Sequence, residues 1–346
     1  MIALIKILLI PFSLIYSIII ELRNKFYDLG IFKSHKVSKP VISIGNITTG
    51  GTGKTPLTIL TAEYFLKVGK KTGIISRGYK RSSAETVIVC DGESVNSNVE
   101  NSGDELVLIS EELMRNNKGS IFTIASSDRV SAAELMIQKF NPDIIILDDG
   151  FQHRKLERDL DIVIIDGTDF TGSKFSNSFT IPSGNLREPF SNIKRADIII
   201  QNNKSENIPL QDSLLKYNNP VPVLIYETEY IMDDKNCILH ENQNNVIVFS
   251  GIAKEDSFYK LLIKSNFIIK ERVIFPDHHN YIQSDINTLA GKFDTGDIFI
   301  TTEKDFVKVK RFKEFTERFP VYYLKLKPGF ISGEEYFFNK INTLIN

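Results

Sequence analysis

The 346-residue sequence contains no tryptophan and only two cysteines, Cys90 and Cys237. The two cysteines are far apart and lack the short spacing of metal ligands, so the sequence predicts structural thiols in a reducing compartment. The formal net charge is -1, and this balance gives no indication of nucleic acid as a partner. Internal repeats and long low-complexity tracts are also absent from the sequence. The composition is that of an ordinary globular protein, and the chain is long enough for about two domains.

Long apolar runs are scarce too, and the one that stands out lies at the N-terminus. Residues 1–22 are apolar apart from Lys6, Glu21 and two serines, and Pro11 interrupts them. The segment lacks the small-x-small pattern of a signal-peptide cleavage site. A spanning helix, an interfacial anchor and a buried core helix remain as alternatives. Basic residues follow that would keep the rest of the chain in the cytoplasm, namely Arg23, Lys25, Lys33, Lys36 and Lys39. We favour a membrane-associated helix.

Short apolar runs alternate with helix-like segments along the rest of the chain. The first strand-like runs are 41–44, 72–76, 86–90, 121–125, 143–147, 161–165 and 197–200. A polar stretch over 202–220 separates them from runs at 222–226, 246–249, 268–275, 297–301 and 321–326. This alternation predicts an α/β fold with a mostly parallel sheet flanked by helices. We expect a membrane-associated helix over 1–22, a core domain over 23–215 and a smaller α/β domain over 216–346.

The most informative segment is a glycine-rich loop that joins the first predicted strand to a helix-like segment over 56–68. Glycines let backbone N–H groups surround phosphate oxygens, and the helix N-terminus adds partial positive charge. Lys54 would contact the β- and γ-phosphates, and the Thr55 hydroxyl would hold Mg²⁺. We therefore expect a phosphate-binding loop of the P-loop NTPase type, with a nucleoside triphosphate bound by Thr48, Thr49, Gly50, Gly51, Thr52, Gly53, Lys54 and Thr55.

The loop departs from the usual pattern G-x-x-x-x-G-K-[ST] at one position. Thr48 stands where that pattern has its first glycine. Gly50, Gly51 and Gly53 supply flexibility instead, and Asn46 can help to shape the turn. The alternative is a glycine-rich turn followed by a chance Lys-Thr pair, which the order of strand, loop and helix disfavours.

Acidic residues follow the apolar run over 143–147. Asp148 and Asp149 stand at its end, where the acid that binds Mg²⁺ or its water ligands is found in phosphate-loop enzymes. Alternation along a strand would point the two side chains in different directions, and the sequence does not separate their roles.

Three further segments carry side chains suited to chemistry. Asp104 and Glu105 open a predicted helix, although acidic residues also favour helix N-termini for purely structural reasons. His278 and His279 form an adjacent pair after a predicted strand, and a surface loop is an equal alternative. Arg187 lies in a predicted turn, where it could bind phosphate through two hydrogen bonds or form a structural salt bridge.

These segments together resemble the tetraacyldisaccharide 4'-kinases, the lipid A 4'-kinases of Gram-negative bacteria. The resemblance runs through most of the chain and includes the threonine at position 48. Besides the N-terminal apolar segment, it is carried by GNITTGGTGKTP at 45–56, SRGY at 76–79, GDE at 103–105, LDDGFQHR at 147–154, LREP at 186–189, DHH at 277–279 and TEKD at 302–305.

The resemblance implies a reaction. ATP would give its γ-phosphoryl group to the 4'-hydroxyl of a tetraacylated glucosamine disaccharide 1-phosphate, forming ADP and the bisphosphorylated lipid. ATP and Mg²⁺ are the implied cofactors, and no protein partner is implied. The lipid substrate would place the enzyme at the inner leaflet, as a peripheral or monotopic protein on the cytoplasmic face of the bacterial inner membrane.

The resemblance also implies roles for individual residues. Asp104 would be the general base and His278 its partner, with His279 as the rival for that place. The implied catalytic set is Asp104, His278, Lys54, Arg187 and Asp148, and the implied metal-binding set is Thr55, Glu105 and Asp149. If the histidine belongs to the second domain, domain closure would assemble the pair.

Two other functions remain as alternatives. The first is a nucleotide switch, namely a phosphate-loop GTPase or metal-insertion chaperone. It would need a guanine-binding Asn/Thr-Lys-x-Asp motif, which the TEKD segment at 302–305 superficially resembles. We prefer a structural interpretation in which Thr302 caps a helix and Asp305 faces its N-terminal dipole. A membrane-tethered partitioning ATPase would carry an extra lysine just before the glycine pair, where this chain has Thr49.

Overall fold

A computed structural model describes residues 2–78, 81, 85–97, 99–169, 178–204, 206, 208–233, 238–239, 246–252, 255–294 and 296–345. Tyr79 of the SRGY segment and Cys237 lie outside the described residues.

The strands follow the predicted apolar runs closely, and β8 and β12 are longer than expected. They are β1 (Val41–Gly45), β2 (Thr72–Ser76), β3 (Val87–Cys90), β4 (Ile121–Ala125), β5 (Ile144–Asp148), β6 (Leu160–Asp166), β7 (Ile198–Asn202), β8 (Val223–Met232), β9 (Val246–Ser250), β10 (Ile269–Ile274), β11 (Ile298–Thr302) and β12 (Val321–Ser332).

Helices lie between most of these strands. They are α1 (Ile2–Leu8), α2 (Ile10–Asp28), α3 (Lys54–Lys67), α4 (Val99–Ser102), α5 (Asp104–Met114), α6 (Arg129–Phe140), α7 (Asp212–Leu215), α8 (Glu255–Lys264), α9 (Gln283–Lys292), α10 (Glu303–Val309), α11 (Lys313–Arg318) and α12 (Glu334–Asn342).

The twelve strands form one sheet in the order β10-β9-β11-β12-β8-β7-β6-β1-β5-β2-β4-β3. Most neighbouring pairs are parallel, which confirms the predicted α/β class. The pairs β3–β4 and β8–β12 are antiparallel. Strands β1, β5, β6 and β7 are buried along their whole length. Their Ile- and Val-rich sequences suit this position, because helices cover both faces of a parallel sheet.

The two predicted domains meet where β7 pairs with β8. The registered pairing there involves only Gln201 with Val223 and Asn202 with Leu224. The long β8–β12 ladder continues the sheet into the C-terminal part. Helix α12 returns to the N-terminal part, where Phe337 and Ile341 are fully buried in its core. The sheet is thus continuous, and the domain boundaries stay predictions.

The N-terminal segment forms two helices instead of one. The break comes at Leu9, and Pro11 lies in the first turn of α2, where its missing N–H costs nothing. Helix α2 runs beyond residue 22 to Asp28. Within the residues that the structure describes, no helix has both the length and the apolar character that crossing a bilayer requires.

Candidate active site

The glycine-rich loop connects β1 to the N-terminus of α3. Gly50 and Gly53 have φ angles of 107° and 97°, a left-handed backbone that favours glycine. Lys54 is the first residue of α3, so the N–H groups at this helix end have no partner within the helix. On one side of the loop, the backbone N–H of Thr49 donates to the Asn185 carbonyl at 2.7 Å. The loop therefore presents N–H donors and a helix dipole to an anion, as a phosphate-binding loop requires.

Asp149 holds the cationic side chains that the sequence analysis singled out. The Arg187 guanidinium donates to both Asp149 carboxylate oxygens at 2.8 Å, and the Lys54 amine lies 3.6 Å from one of them. Burial alone would raise the pKa of Asp149, but Lys54 and Arg187 hold it below its usual range. Two positive charges from distant parts of the sequence thus converge at one point beside the loop.

The side chain of Asp148 has a different environment from that of Asp149. Its carboxylate is fully buried and accepts hydrogen bonds from Thr58 at 3.3 Å and Ser76 at 3.1 Å. Burial, reinforced by the charges of Glu105 and Asp149, raises the pKa of Asp148 to about 7. The chain turns sharply after it, since Asp149 has a φ of 54°. Adjacent carboxylates are therefore directed into two different environments.

Asp104 and His278 come together across the cleft between the two parts of the chain. Asp104 is the first residue of α5, and its Oδ2 lies 3.0 Å from His278 Nδ1. His278 has a φ of 57° in the turn that follows β10. Burial would raise the pKa of Asp104, but the hydrogen bond from His278 and the charges of Lys304 and Lys308 hold it far below its usual range. The carboxylate is therefore ionised at neutral pH.

His279 has a different partner. Its Nε2 lies 2.8 Å from Asp285, a residue in the first turn of α9, and its ring stacks on Phe275. Asp285 also accepts from the backbone N–H of Ile282. The adjacent histidines thus have different partners. His278 contacts Asp104 in the cleft, and His279 stabilises the start of α9.

Two lysines at this site have no role in the predicted site. Lys304 pairs with Glu105, and buried Lys308 lies 3.4 Å from Asp104 and 3.1 Å from Asp305. The structure confirms that Thr302 caps α10, because its hydroxyl accepts from the N–H of Asp305. The spacing of the lysines on α10 was the available signal, since residues four apart share a helix face.

A cleft of about 860 Å³ brings these groups together. Its walls include most of the predicted site residues, namely Thr49, Gly50, Gly51, Thr52, Gly53, Lys54, Thr55, Asp104, Glu105, Asp149, Arg187 and His278. Thr48 and Asp148 are predicted site residues that do not line it. Thr48 forms an isolated β-bridge with Leu186 and is buried next to the cleft residue Thr49, and Asp148 is fully buried next to the cleft residue Asp149.

The donor set also suits a hard divalent cation. Glu105 and Asp149 line the cleft with the hydroxyl-bearing Thr55, and Asp148 lies nearby with a pKa raised by burial and by neighbouring carboxylates. Among the described residues, no three His, Cys, Asp or Glu side chains are grouped closely enough to hold a metal by themselves. Magnesium is commonly bound by one or two carboxylates together with substrate phosphates and water. The residues therefore fit Mg²⁺ that arrives with a polyphosphate.

Comparison with known proteins gives consistent results. The family model described as tetraacyldisaccharide-1-P 4'-kinase (LpxK) matches residues 5–346. A tetraacyldisaccharide 4'-kinase from Chlorobaculum parvum is 32% identical over 340 residues, which cover 95% of this chain and 92% of the relative. One from Aquifex aeolicus is 35% identical over 318 residues, which cover 88% and 90%.

A solved structure is similar over the whole chain. It is described as an "apo" form of LpxK from Aquifex aeolicus in complex with ATP. The TM-score is 0.78 at 31% identity, and the match covers 99% of this chain and 100% of that chain.

The environment of Asp148 predicts a pH-dependent stability. Its folded pKa of about 7 lies above the unfolded value, so the native state retains a proton that the unfolded chain has lost. This contribution to stability is present below the unfolded pKa and is lost as pH rises toward 7 and above. Asp148→Asn cannot ionise, so its free energy of unfolding relative to wild type should increase by ~1–3 kcal/mol between pH 4 and pH 8.

Urea unfolding without magnesium or nucleotide would measure this difference. Asp212→Asn, which alters an exposed carboxylate, is the matched control and should show no comparable trend. A difference between Asp148→Asn and wild type that stays constant across this pH range would contradict the assignment.

Proposed function

The chain belongs to the tetraacyldisaccharide-1-P 4'-kinase family, and from this we propose that it transfers the γ-phosphoryl group of ATP to the 4'-hydroxyl of a tetraacylated glucosamine disaccharide 1-phosphate. The products are ADP and the 1,4'-bisphosphate lipid. The observation that carries the proposal is the meeting, in one cleft, of a phosphate-binding loop and the Asp104–His278 pair. The loop suits a triphosphate, and the carboxylate–imidazole pair suits deprotonation of an alcohol.

Asp104 accepts the proton of the sugar hydroxyl as its oxygen attacks phosphorus. Phosphoryl transfer proceeds through a loose transition state, so the attacking hydroxyl needs orientation and a late proton acceptor more than a strong base. A carboxylate that stays ionised fits that task. His278 Nδ1, at 3.0 Å, orients the carboxylate from the opposite side of the cleft.

Lys54 and Arg187 neutralise charge on the transferring group. Both side chains reach the Asp149 carboxylate, so they can also reach a common phosphoryl oxygen at that point. Positioned cations stabilise the charge that spreads over the equatorial oxygens in the transition state. Thr55, Glu105 and Asp149 are the residues that would hold Mg²⁺, which neutralises β- and γ-phosphate charge when bound.

The N-terminal helices attach the enzyme to the surface of the membrane that contains its substrate. One face of α2 is polar and docks on the protein, where Tyr16 donates to the Arg187 carbonyl at 2.9 Å and Asn24 donates to Glu188 at 3.2 Å. The opposite face is apolar and at least 48% exposed at Phe12, Leu14, Ile15, Ile18, Ile19 and Leu22. An apolar face turned away from its own protein suits the acyl boundary of a bilayer. We place the protein at the cytoplasmic face of the inner membrane, where ATP and the lipid meet.

The nucleotide-switch alternative has lost its main support. In the TEKD segment, Thr302 caps α10 and Asp305 accepts hydrogen bonds from Gly251 and Thr302. The segment therefore has a structural explanation that does not involve guanine.

The proposed reaction can be tested directly. Purified protein incubated with γ-labelled ATP, Mg²⁺ and the disaccharide 1-phosphate lipid in micelles should yield a labelled bisphosphate lipid. Lys54→Ala should lower this turnover by on the order of 10² or more, because the phosphoryl charge loses a positioned cation. Lys67→Ala, at the exposed end of the same helix, is the matched control. Chelation of Mg²⁺ should stop the reaction, and absence of labelled lipid with wild-type protein would overturn the proposal.

The base assignment predicts a distinct kinetic pattern. Asp104→Asn should lower kcat by a factor on the order of 10²–10⁴ while ATP affinity changes little. His278→Gln should lower kcat less, and the double variant should lose less than the product of the two effects, because the residues act as a unit. His279→Gln removes the contact with Asp285 and the ring stacking on Phe275, and because His279 does not line the cleft the variant should retain kcat. A parallel loss of ATP affinity in Asp104→Asn would assign this carboxylate to the nucleotide instead.

The membrane proposal is tested with the exposed face of α2. Ile15→Ser combined with Ile19→Ser should weaken binding of the full chain to phospholipid vesicles about tenfold or more, because apolar area is no longer removed from water. Ile268→Ser with Ile274→Ser changes equally exposed isoleucines in the C-terminal part and serves as the control. Vesicle flotation would measure both. Equal binding by the α2 variant and wild type would contradict the assigned face.

A further inference from the structure

Two residues outside the glycine-rich motif hold the phosphate-binding loop in shape. Asn202, the last residue of β7, donates from Nδ2 to the Thr52 carbonyl at 2.7 Å. Tyr226, on β8, donates from its hydroxyl to the Gly53 carbonyl at 3.0 Å. The two acceptors belong to consecutive peptide groups, immediately before the first residue of α3.

These two hydrogen bonds also fix the direction of the loop N–H groups, because the peptide bond is planar. In a trans peptide the C=O and the following N–H point in opposite directions. Fixing the Thr52 carbonyl toward Asn202 directs the Gly53 N–H to the other side of the loop. Fixing the Gly53 carbonyl toward Tyr226 does the same for the Lys54 N–H. Loop N–H groups of this kind are the donors that surround phosphate oxygens.

Both donors are themselves held in place. The Asn202 Oδ1 accepts from the backbone N–H of Lys204 at 2.9 Å, which leaves Nδ2 as the group that faces Thr52. The backbone N–H of Tyr226 donates to the Lys204 carbonyl at 2.6 Å. Burial raises the pKa of Tyr226 well above its usual range, so the hydroxyl remains a donor.

The close approach also accounts for the glycine at position 53. A Cβ built there would lie 2.1 Å from the Tyr226 hydroxyl oxygen and 2.4 Å from Asn202 Nδ2. Only a residue without a side chain lets these two donors reach the loop. The cost is a flexible backbone, because glycine loses more conformational freedom on ordering than any other residue. The hydrogen bonds to the Gly53 carbonyl and to the Thr52 carbonyl restrict this backbone freedom before ATP binds.

We infer that Asn202 and Tyr226 are positioning residues for the triphosphate of ATP, acting through the peptide groups of Thr52 and Gly53. The inference rests on the proposed function for its ligand. Neither residue belongs to the glycine-rich motif or to the Asp104–His278 pair. Their effect is on nucleotide affinity and not on the chemistry at the sugar hydroxyl.

The test uses the full chain with Asn202→Ala and Tyr226→Phe. Each should raise the Kd for ATP, measured by calorimetry without lipid, and the KM for ATP by roughly three- to tenfold, which is the effect of one lost hydrogen bond. The kcat and the KM for lipid should stay within about twofold. A purely structural defect would lower thermal stability without this selective change in ATP binding.

Matched controls are available on the same scaffold. Asn218→Ala removes an exposed side-chain hydrogen bond to the Asp197 carbonyl at the other end of β7, together with the longer one from the Ile199 N–H. Tyr336→Phe removes a hydroxyl on α12 from a residue that does not line the cleft. Both should bind ATP as the wild type does. A variant that unfolds at the assay temperature is measured at a lower one through its ATP-dependent shift in Tm, which reports the same Kd.

The outcomes separate the inference from the proposed function. Unchanged ATP affinity in both variants, or equal losses in the controls, would overturn the inference while leaving the kinase proposal intact. A wild-type protein that binds ATP but does not phosphorylate the lipid would overturn the kinase proposal, and the ATP titrations would still decide the role of Asn202 and Tyr226.

Discussion

The contact between Asp104 and His278 is the constraint on which the rest of this structure depends. The carboxylate begins a helix of the N-terminal part, and the imidazole lies in a turn of the C-terminal part. Their 3.0 Å separation exists only if both parts of the sheet are held in one relative position. A displacement of about 1 Å at such a pair can cost a large factor in rate. The architecture around the cleft can be understood as the means of keeping this distance.

Charge complementarity helps to hold the two parts of the chain in this position. Glutamates on α4 and α5 face basic residues of the C-terminal part, in the pairs Glu100–Arg311, Glu105–Lys304, Glu111–Lys310 and Glu112–Lys325. A single exposed ion pair contributes only about 0.2–1 kcal/mol. The four pairs join α4 and α5 to the C-terminal part. Lys304, which belongs to one of these pairs, and Lys308 on the same helix also hold the pKa of Asp104 below its usual range. The groups that hold the two parts together thus also set the state of the proposed base.

The N-terminal helices and the phosphate-binding loop are linked through the segment that contains Arg187 and Glu188. Arg187 contacts Asp149 by its side chain, while its backbone carbonyl accepts from Tyr16 of α2 and its N–H donates to Ile47 beside the loop. Glu188 next to it accepts from Asn24 of α2 and pairs with Arg195. A lipid approaching along α2 would therefore reach Arg187 and Lys54, the proposed phosphoryl-binding cations. This arrangement agrees with the proposal that ATP enters from water and the acylated substrate from the bilayer.

The sequence by itself determined the strands, the phosphate-binding loop and the family. Apolar runs predict buried strands because parallel sheets are covered on both faces, and the glycines with Lys54 and Thr55 carry their chemistry within a few residues. Local patterns did not predict the antiparallel β3–β4 and β8–β12 pairs, or the return of α12 to the N-terminal core. Strand direction and packing depend on the path of the whole chain.

The choice between adjacent residues was decided only by tertiary structure. Asp148 and Asp149 look alike in the sequence, but a left-handed residue at 149 buries one carboxylate and turns the other to Lys54 and Arg187. His278 and His279 are separated in the same way, since their partners lie 174 and 6 residues away along the chain. Asn202 and Tyr226 belong to no sequence motif that points to their contacts with the loop. A side chain's function here follows from what the fold brings within about 3 Å of it, which no spacing along the sequence specifies.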